Sequence, residues 1–199
     1  MSRKAEHIGA FVQERTLVRS NELKGLPASR SHLWNLAKAG KIERVGHGLY
    51  RSKEAPLSAY ETLLETAKRV PRGVLCLSSA LRYHELTSEN PFEVWLAIER
   101  GSWTPKMDYP PVRIVHYSKA TFEFGIESHS VDGGTLRVYS PAKTVADCFK
   151  FRSKVGIETA IQALRAAYRE KKASMDDLWD AAKVCRVVNV MRPYMESLI

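Results

Sequence analysis

Apolar positions recur along this chain at two periods, and the switches between them mark out its elements. In the stretch SRSHLWNLAKA, residues 29–39, Leu33, Leu36 and Ala37 share one face of a 3.6-residue helix. Ser31, Asn35 and Lys38 lie roughly opposite, with Arg30 and Trp34 on the flank. Ser29, two residues after Pro27, is a suitable N-cap, and Gly40 can leave the helix through a left-handed conformation. Residues 42–45 and 49–51 then read as short, partly apolar strands. They meet at Gly46-His47-Gly48, where two glycines allow the positive backbone angles of a tight hairpin. Upstream, residues 5–18 place Ile8, Phe11 and Val12 at helical spacing, and a short helix after Ser20 runs into a turn at Gly25-Leu26-Pro27. The order is that of a winged helix-turn-helix.

Beyond a connector at 52–56, residues 57–70 bring Tyr60, Leu63, Leu64 and Ala67 to one helical face before Pro71-Arg72-Gly73 ends it. A short apolar strand is predicted at 74–77 and a serine-capped helix at 78–86. FEVWLAI at 92–98 and VRIVHY at 112–117 suit strands, with a loop between them carrying Gly101, Pro105, Pro110 and Pro111. Residues 127–131 and 136–139 flank Asp132-Gly133-Gly134, a hairpin turn. From Ser140-Pro141, an N-cap with proline at the first helical position, the chain is helical to its end. The helices expected there are one bearing Val145, Ala146 and Phe149, then 157–169, 176–184 and a last one through Pro193 to Leu198. The fold class is α+β, with a winged helix-turn-helix domain in 1–55 and, in 56–199, a domain with a small mixed sheet and several helices. No internal repeat or low-complexity segment interrupts it.

Charge sharpens the picture. Of 199 residues, 44% are apolar and 27% charged, which is ordinary for a globular chain, but the net charge is +9. Residues 1–55 hold 11 Lys and Arg against 5 Asp and Glu, whereas 56–199 hold 20 against 17. A basic excess gathered around the predicted helix-turn-helix favours a polyanion, because neutralised phosphates release condensed counterions. Ser29, Arg30, Ser31, Trp34, Asn35 and Lys38 on the helix, with Arg44 and His47 in the wing, are the candidate DNA contacts. Arg to guanine and Asn to adenine are the bidentate options. Arg51 could also approach phosphates, and Arg165, Arg169 and Lys172 recur at helical spacing as a candidate second DNA contact.

Little else points to chemistry. Cys76, Cys148 and Cys185 are far apart and predict neither disulfides nor a zinc site, and no metal or cofactor is expected. Ser140-Pro141-Ala142-Lys143 matches a bare S-x-x-K, but without its S-D-N and K-T-G partners it reads as a helix cap. Phosphate-binding glycine loops and H-E-x-x-H are absent, and no catalytic residue is assigned. Asp147 is expected to pair with Lys143, one turn away. With no signal peptide and no apolar run approaching 18 residues, the expected location is cytosolic.

Four stretches in order, LWNLAKAGKIERVGHGLYR, LSSALRYHEL, VYSPAKTVADCFKFR and a terminal RPYMESL, give a resemblance covering nearly the whole chain. The chain resembles the AbiEi antitoxins of abortive-infection, type IV toxin-antitoxin systems. That resemblance implies a DNA-binding N-terminal domain that represses its own operon at inverted repeats. It also implies a C-terminal domain that counters a nucleotidyltransferase-like toxin without a stable complex. The rival expectations are a free-standing winged-helix regulator of an unrelated operon, its second domain used for association or ligand sensing, and a nuclease or transferase carrying a DNA-binding module. The enzyme would need clustered carboxylates, which the sequence lacks.

Overall fold

A computed structural model describes residues 17–20, 22–23, 30–46, 48–53, 58–105, 107 and 109–198. They form an α+β protein whose residues group into two compact units. One comprises the described residues up to Arg69 together with Ser130–Leu136, the other Val70–His129 and Arg137–Ile199. The helix after the connector, placed by sequence in the second domain, therefore groups with the first unit.

In the first unit, β1 (Leu17–Arg19), β2 (Ile42–Gly46) and β3 (Leu49–Ser52) make an antiparallel sheet of order β1-β3-β2. Val18 faces Tyr50 and Leu17 faces Arg51 across β1 and β3. The expected helix over 5–18 lies outside the described residues except at its end, where Leu17 and Val18 are instead strand. Helix α1 (Arg30–Lys38) packs on β2, and Leu33, with no exposed surface, joins Val18, Leu23, Ile42 and Tyr50 in a small core flanked by Leu36 and Ala37. Gly40, at φ +73°, closes the helix as its sequence suggests. Lys41 N–H donates to Leu36 O at 3.0 Å and Gly40 N–H to Ala37 O at 3.0 Å, the paired bonds of a Schellman cap. Helix α2 (Glu61–Arg69), shorter than the expected 57–70, lies against β1. Ser58 gathers its start: its Oγ accepts from Tyr60 N–H at 2.9 Å and donates to the Asp132 carboxylate. Leu64 of α2 packs on Gly134, where a Cβ would sit 2.6 Å from Leu64 Cδ2.

A mixed five-stranded sheet of order β6-β5-β4-β8-β7 is formed by β4 (Val74–Leu75), β5 (Val94–Glu99), β6 (Val112–Tyr117), β7 (Ile126–Val131) and β8 (Gly134–Tyr139); it belongs to the second unit except for Ser130–Leu136, which groups with the first. β4 runs antiparallel to β5 and parallel to β8, with Leu75 opposite Val138, while β5 and β6 are parallel from Val94/Val112 to Glu99/Tyr117. The turn between β7 and β8 has Asp132 at φ +46° and Gly133 at φ +72°, as a hairpin of this sequence requires. Helix α3 (Leu77–Tyr83) starts one residue earlier than expected and is not capped by serine. Its N-cap is Cys76, because β4 runs straight into the helix; Ser79 turns inward and its Oγ accepts from Trp95 N–H at 2.9 Å.

After the short α4 (Lys119–Glu123), the layer over the sheet is organised by α5 (Pro141–Lys150), which contacts α3, α7 (Ile157–Arg169), α8 (Met175–Cys185) and α9 (Val188–Glu196). The short α6 (Arg152–Val155) leads from α5 to α7. Residues Ala142 through Phe149 of α5 are all buried. Pro141 opens the helix and Ser140 Oγ accepts from Lys143 N–H at 3.3 Å, so this serine is the predicted cap. Among the described residues, no helix is long and apolar enough to cross a membrane.

Candidate nucleic-acid interface

Burying Leu33 decides which face of α1 is left outside. At 100° per residue, Ser31, Trp34, Asn35 and Lys38 fall within an arc of roughly 100°, and all four are exposed. Trp34 sits at one end of this arc, on the flank where the sequence wheel set it, with 55% of its surface open. Lys38 Nζ lies 5.1 Å from the Trp34 ring centroid, a cation–π contact that holds the lysine against the indole. Lys38 is also the basic residue of the last turn, where a positive charge complements the helix dipole. Ser29, His47 and the side chain of Arg30 lie outside the described residues.

The hairpin beside the helix carries Arg44, exposed on β2 opposite Tyr50, followed by an irregularity between Arg44 and Gly46 that shifts the register toward the turn. Arg51, expected near phosphates, is instead committed to carboxylates: it donates to Glu43 at 2.6 Å and to Glu61 at 2.5 Å. Those hydrogen bonds raise its pKa and leave its charge locally neutralised. Lys68 is likewise paired with Glu22 at 2.6 Å, and Arg69 with Glu65 at 2.6 Å. Glu65 is nearly buried, and burial pushes its carboxyl up despite Arg69. Lys41 and Lys53 are exposed. The Lys53 amino group would lie 3.9 Å from a Cβ placed on Gly40, which sets it beside the end of α1. The basic character of this unit is thus divided between cations held in ion pairs and cations near the stripe.

In the second unit, Arg165 and Arg169 are exposed one turn apart on α7. Lys172, expected beside them, is turned to other work: it donates to His84 O at 2.7 Å and pairs with Glu170 at 2.7 Å. Arg169 borders a surface hollow of about 640 Å³ together with Tyr168, Lys171, Ser174, Met175 and Leu198.

The predicted Lys143–Asp147 pair forms, at 2.5 Å, but in a setting its spacing does not reveal: both side chains have 0% exposure. Lys143 Nζ lies 4.1 Å from the Tyr139 ring centroid and 4.7 Å from that of Tyr117. The Asp147 carboxylate also accepts from Tyr117 O–H at 3.1 Å and from Cys185 S–H at 3.3 Å. Burial pushes the Asp147 carboxyl up while Lys143 pulls it down. Burial and the neighbouring Asp147 push the Cys185 thiol up to about 12 and raise Cys76 and Cys148 as well. The three cysteines are free and buried. The cluster ties β6, β8, α5 and α8 together, with every group engaged by another protein group. Lys143 Nζ is aimed at Asp147, so the S-x-x-K sequence builds a cap and not a Ser–Lys pair.

No family model and no curated protein matches the chain. Among solved structures it is similar to the Rv2827c protein from Mycobacterium tuberculosis, with a TM-score of 0.62 and 12% identity over 100% of this chain and 81% of that one. At that identity the likeness is one of fold.

Proposed function

We propose that the first unit is a winged helix-turn-helix and that the protein binds double-stranded DNA upstream of its own gene, as the autorepressing antitoxin of a type IV pair. The observation that carries the DNA reading is the exposed Ser31, Trp34, Asn35, Lys38 stripe on a helix whose other face is buried against a hairpin. Short polar side chains reach base edges and the basic one holds phosphate. The antitoxin role rests on the AbiEi resemblance of the four sequence stretches.

The test is binding of the purified protein to its own upstream duplex and to a scrambled one, across a salt series. Asn35→Ala is expected to cost about 1–3 kcal/mol on the upstream duplex only. Lys38→Ala weakens both and reduces the salt slope by about one. Equal affinity of the native protein for the two duplexes overturns sequence-specific repression. Rescue of growth from an adjacent nucleotidyltransferase-like gene tests the antitoxin half.

One observation favours a second reading, a free-standing regulator whose C-terminal unit senses a small molecule. The hollow bordered by Arg169 and Lys171, at about 640 Å³, lies within the size range of small-molecule sites.

A further inference from the structure

Trp34 is a large apolar surface at one edge of an otherwise polar stripe, and it offers an apolar face to whatever that stripe meets. Lys38 occupies one approach to its ring at 5.1 Å, while 55% of the residue remains open. At the other edge of the same stripe, roughly 100° around the helix, Asn35 is exposed and has the side chain that pairs bidentately with adenine N6 and N7. The most prominent apolar group on the base edges of the major groove is the C5-methyl of thymine, and thymine is adenine's own partner.

From this juxtaposition we infer that Trp34 is a specificity-determining residue that packs on a thymine C5-methyl, so that Trp34 and Asn35 together select A·T pairs in the half-site. The inference rests on the DNA-binding reading above and adds to it the base that the helix selects. Lys38 contributes in two ways: it braces the indole through the cation–π contact and carries its charge toward the adjacent phosphate. Trp34 thus reads sequence while Lys38 holds the backbone.

The methyl can be removed without disturbing any hydrogen-bonding group by replacing thymine with uracil. The duplex protected by the full-length protein in its own upstream DNA is prepared with thymine and with uracil throughout the protected segment, and both are titrated with native protein, Trp34→Ala and Trp34→Phe. Native protein is expected to bind the uracil duplex about four-fold more weakly for each methyl contacted, the effect of withdrawing one buried carbon. Trp34→Ala, a change at an exposed position, is expected to bind both duplexes equally, and Trp34→Phe to restore part of the discrimination. Equal binding of the two duplexes by native protein, or undiminished discrimination in Trp34→Ala, overturns the assignment while leaving DNA binding intact. If native protein protects no duplex segment at all, the DNA-binding reading fails and the thymine contact with it.

Discussion

Removing Asp147 tests the buried ion pair of the second unit most directly. In Asp147→Ala the Lys143 ammonium, fully enclosed, would keep only the faces of Tyr139 and Tyr117 at 4.1 and 4.7 Å. The Tyr117 hydroxyl and the Cys185 thiol would lose their acceptor in the same step. Aromatic faces return about 2 kcal/mol to a desolvated cation, well short of what a buried carboxylate supplies. The single substitution is therefore expected to cost about 3–5 kcal/mol, a large share of the roughly 5–15 kcal/mol that holds a domain together. Lys143→Met preserves the length of the stem but leaves Asp147 facing two weak donors, and its cost should depend on pH. Burial already pushes the Asp147 carboxyl up. Without Lys143 only the hydrogen bonds from Tyr117 and Cys185 oppose burial, so folding favours the protonated form. The sign follows: the variant's stability is greatest below the unfolded carboxyl value of about 3.9 and falls as pH rises toward neutrality. The double variant removes both charges and should recover most of either loss. Urea denaturation followed by far-ultraviolet circular dichroism gives the midpoints, compared at constant m-value. Single losses below about 1 kcal/mol, or losses that simply add in the double variant, would refute the argument that the two charges are stabilised by each other.

His84 offers a second pH test. Burial lowers its pKa, against the hydrogen bond to Tyr139 O at 2.7 Å, so the fold favours the neutral ring. Its contribution is present above the unfolded histidine value of about 6.5 and is lost as pH falls through the folded value. Thermal midpoints from pH 8 to pH 5 should drop more for native protein than for His84→Gln, and parallel profiles would contradict this. Gly125 takes φ +70°, and a Cβ there would meet Lys143 Cβ at 2.8 Å and Ser140 Oγ at 3.0 Å. Gly125→Ala is expected to destabilise by about 1–3 kcal/mol in the same denaturation assay.

The elements governed by local chemistry were legible in the sequence. The helix closed by Gly40, the Asp132-Gly133 hairpin, the Ser140-Pro141 start and the 157–169 helix each follow from a turn residue, a cap or a period. Pairings over long separations were not. That Leu75 of β4 lies parallel to Val138 of β8 depends on which strands meet in the fold, and no local pattern encodes it. The depth of Lys143 and Asp147 was hidden for another reason: an i to i+4 charge pair has the same spacing on a solvated helix as in a core. Within the candidate interface, the polar composition of α1 and the flank position of Trp34 were readable, whereas the loss of Arg51 and Lys172 to other partners required neighbours that the sequence does not name.

The packing of Leu64 against Gly134 bears on how the protein emerges from the ribosome. Translation delivers α1 and its hairpin early, but the compact unit that contains them also includes Ser130–Leu136. Leu64 must therefore wait, partly uncovered, until the β7–β8 turn has been synthesised and has left the exit tunnel. A nascent chain halted before that turn would present an apolar patch on α2. The fold thus delays completion of its first unit until much of the second has been translated, which makes this interval the natural window for chaperone capture.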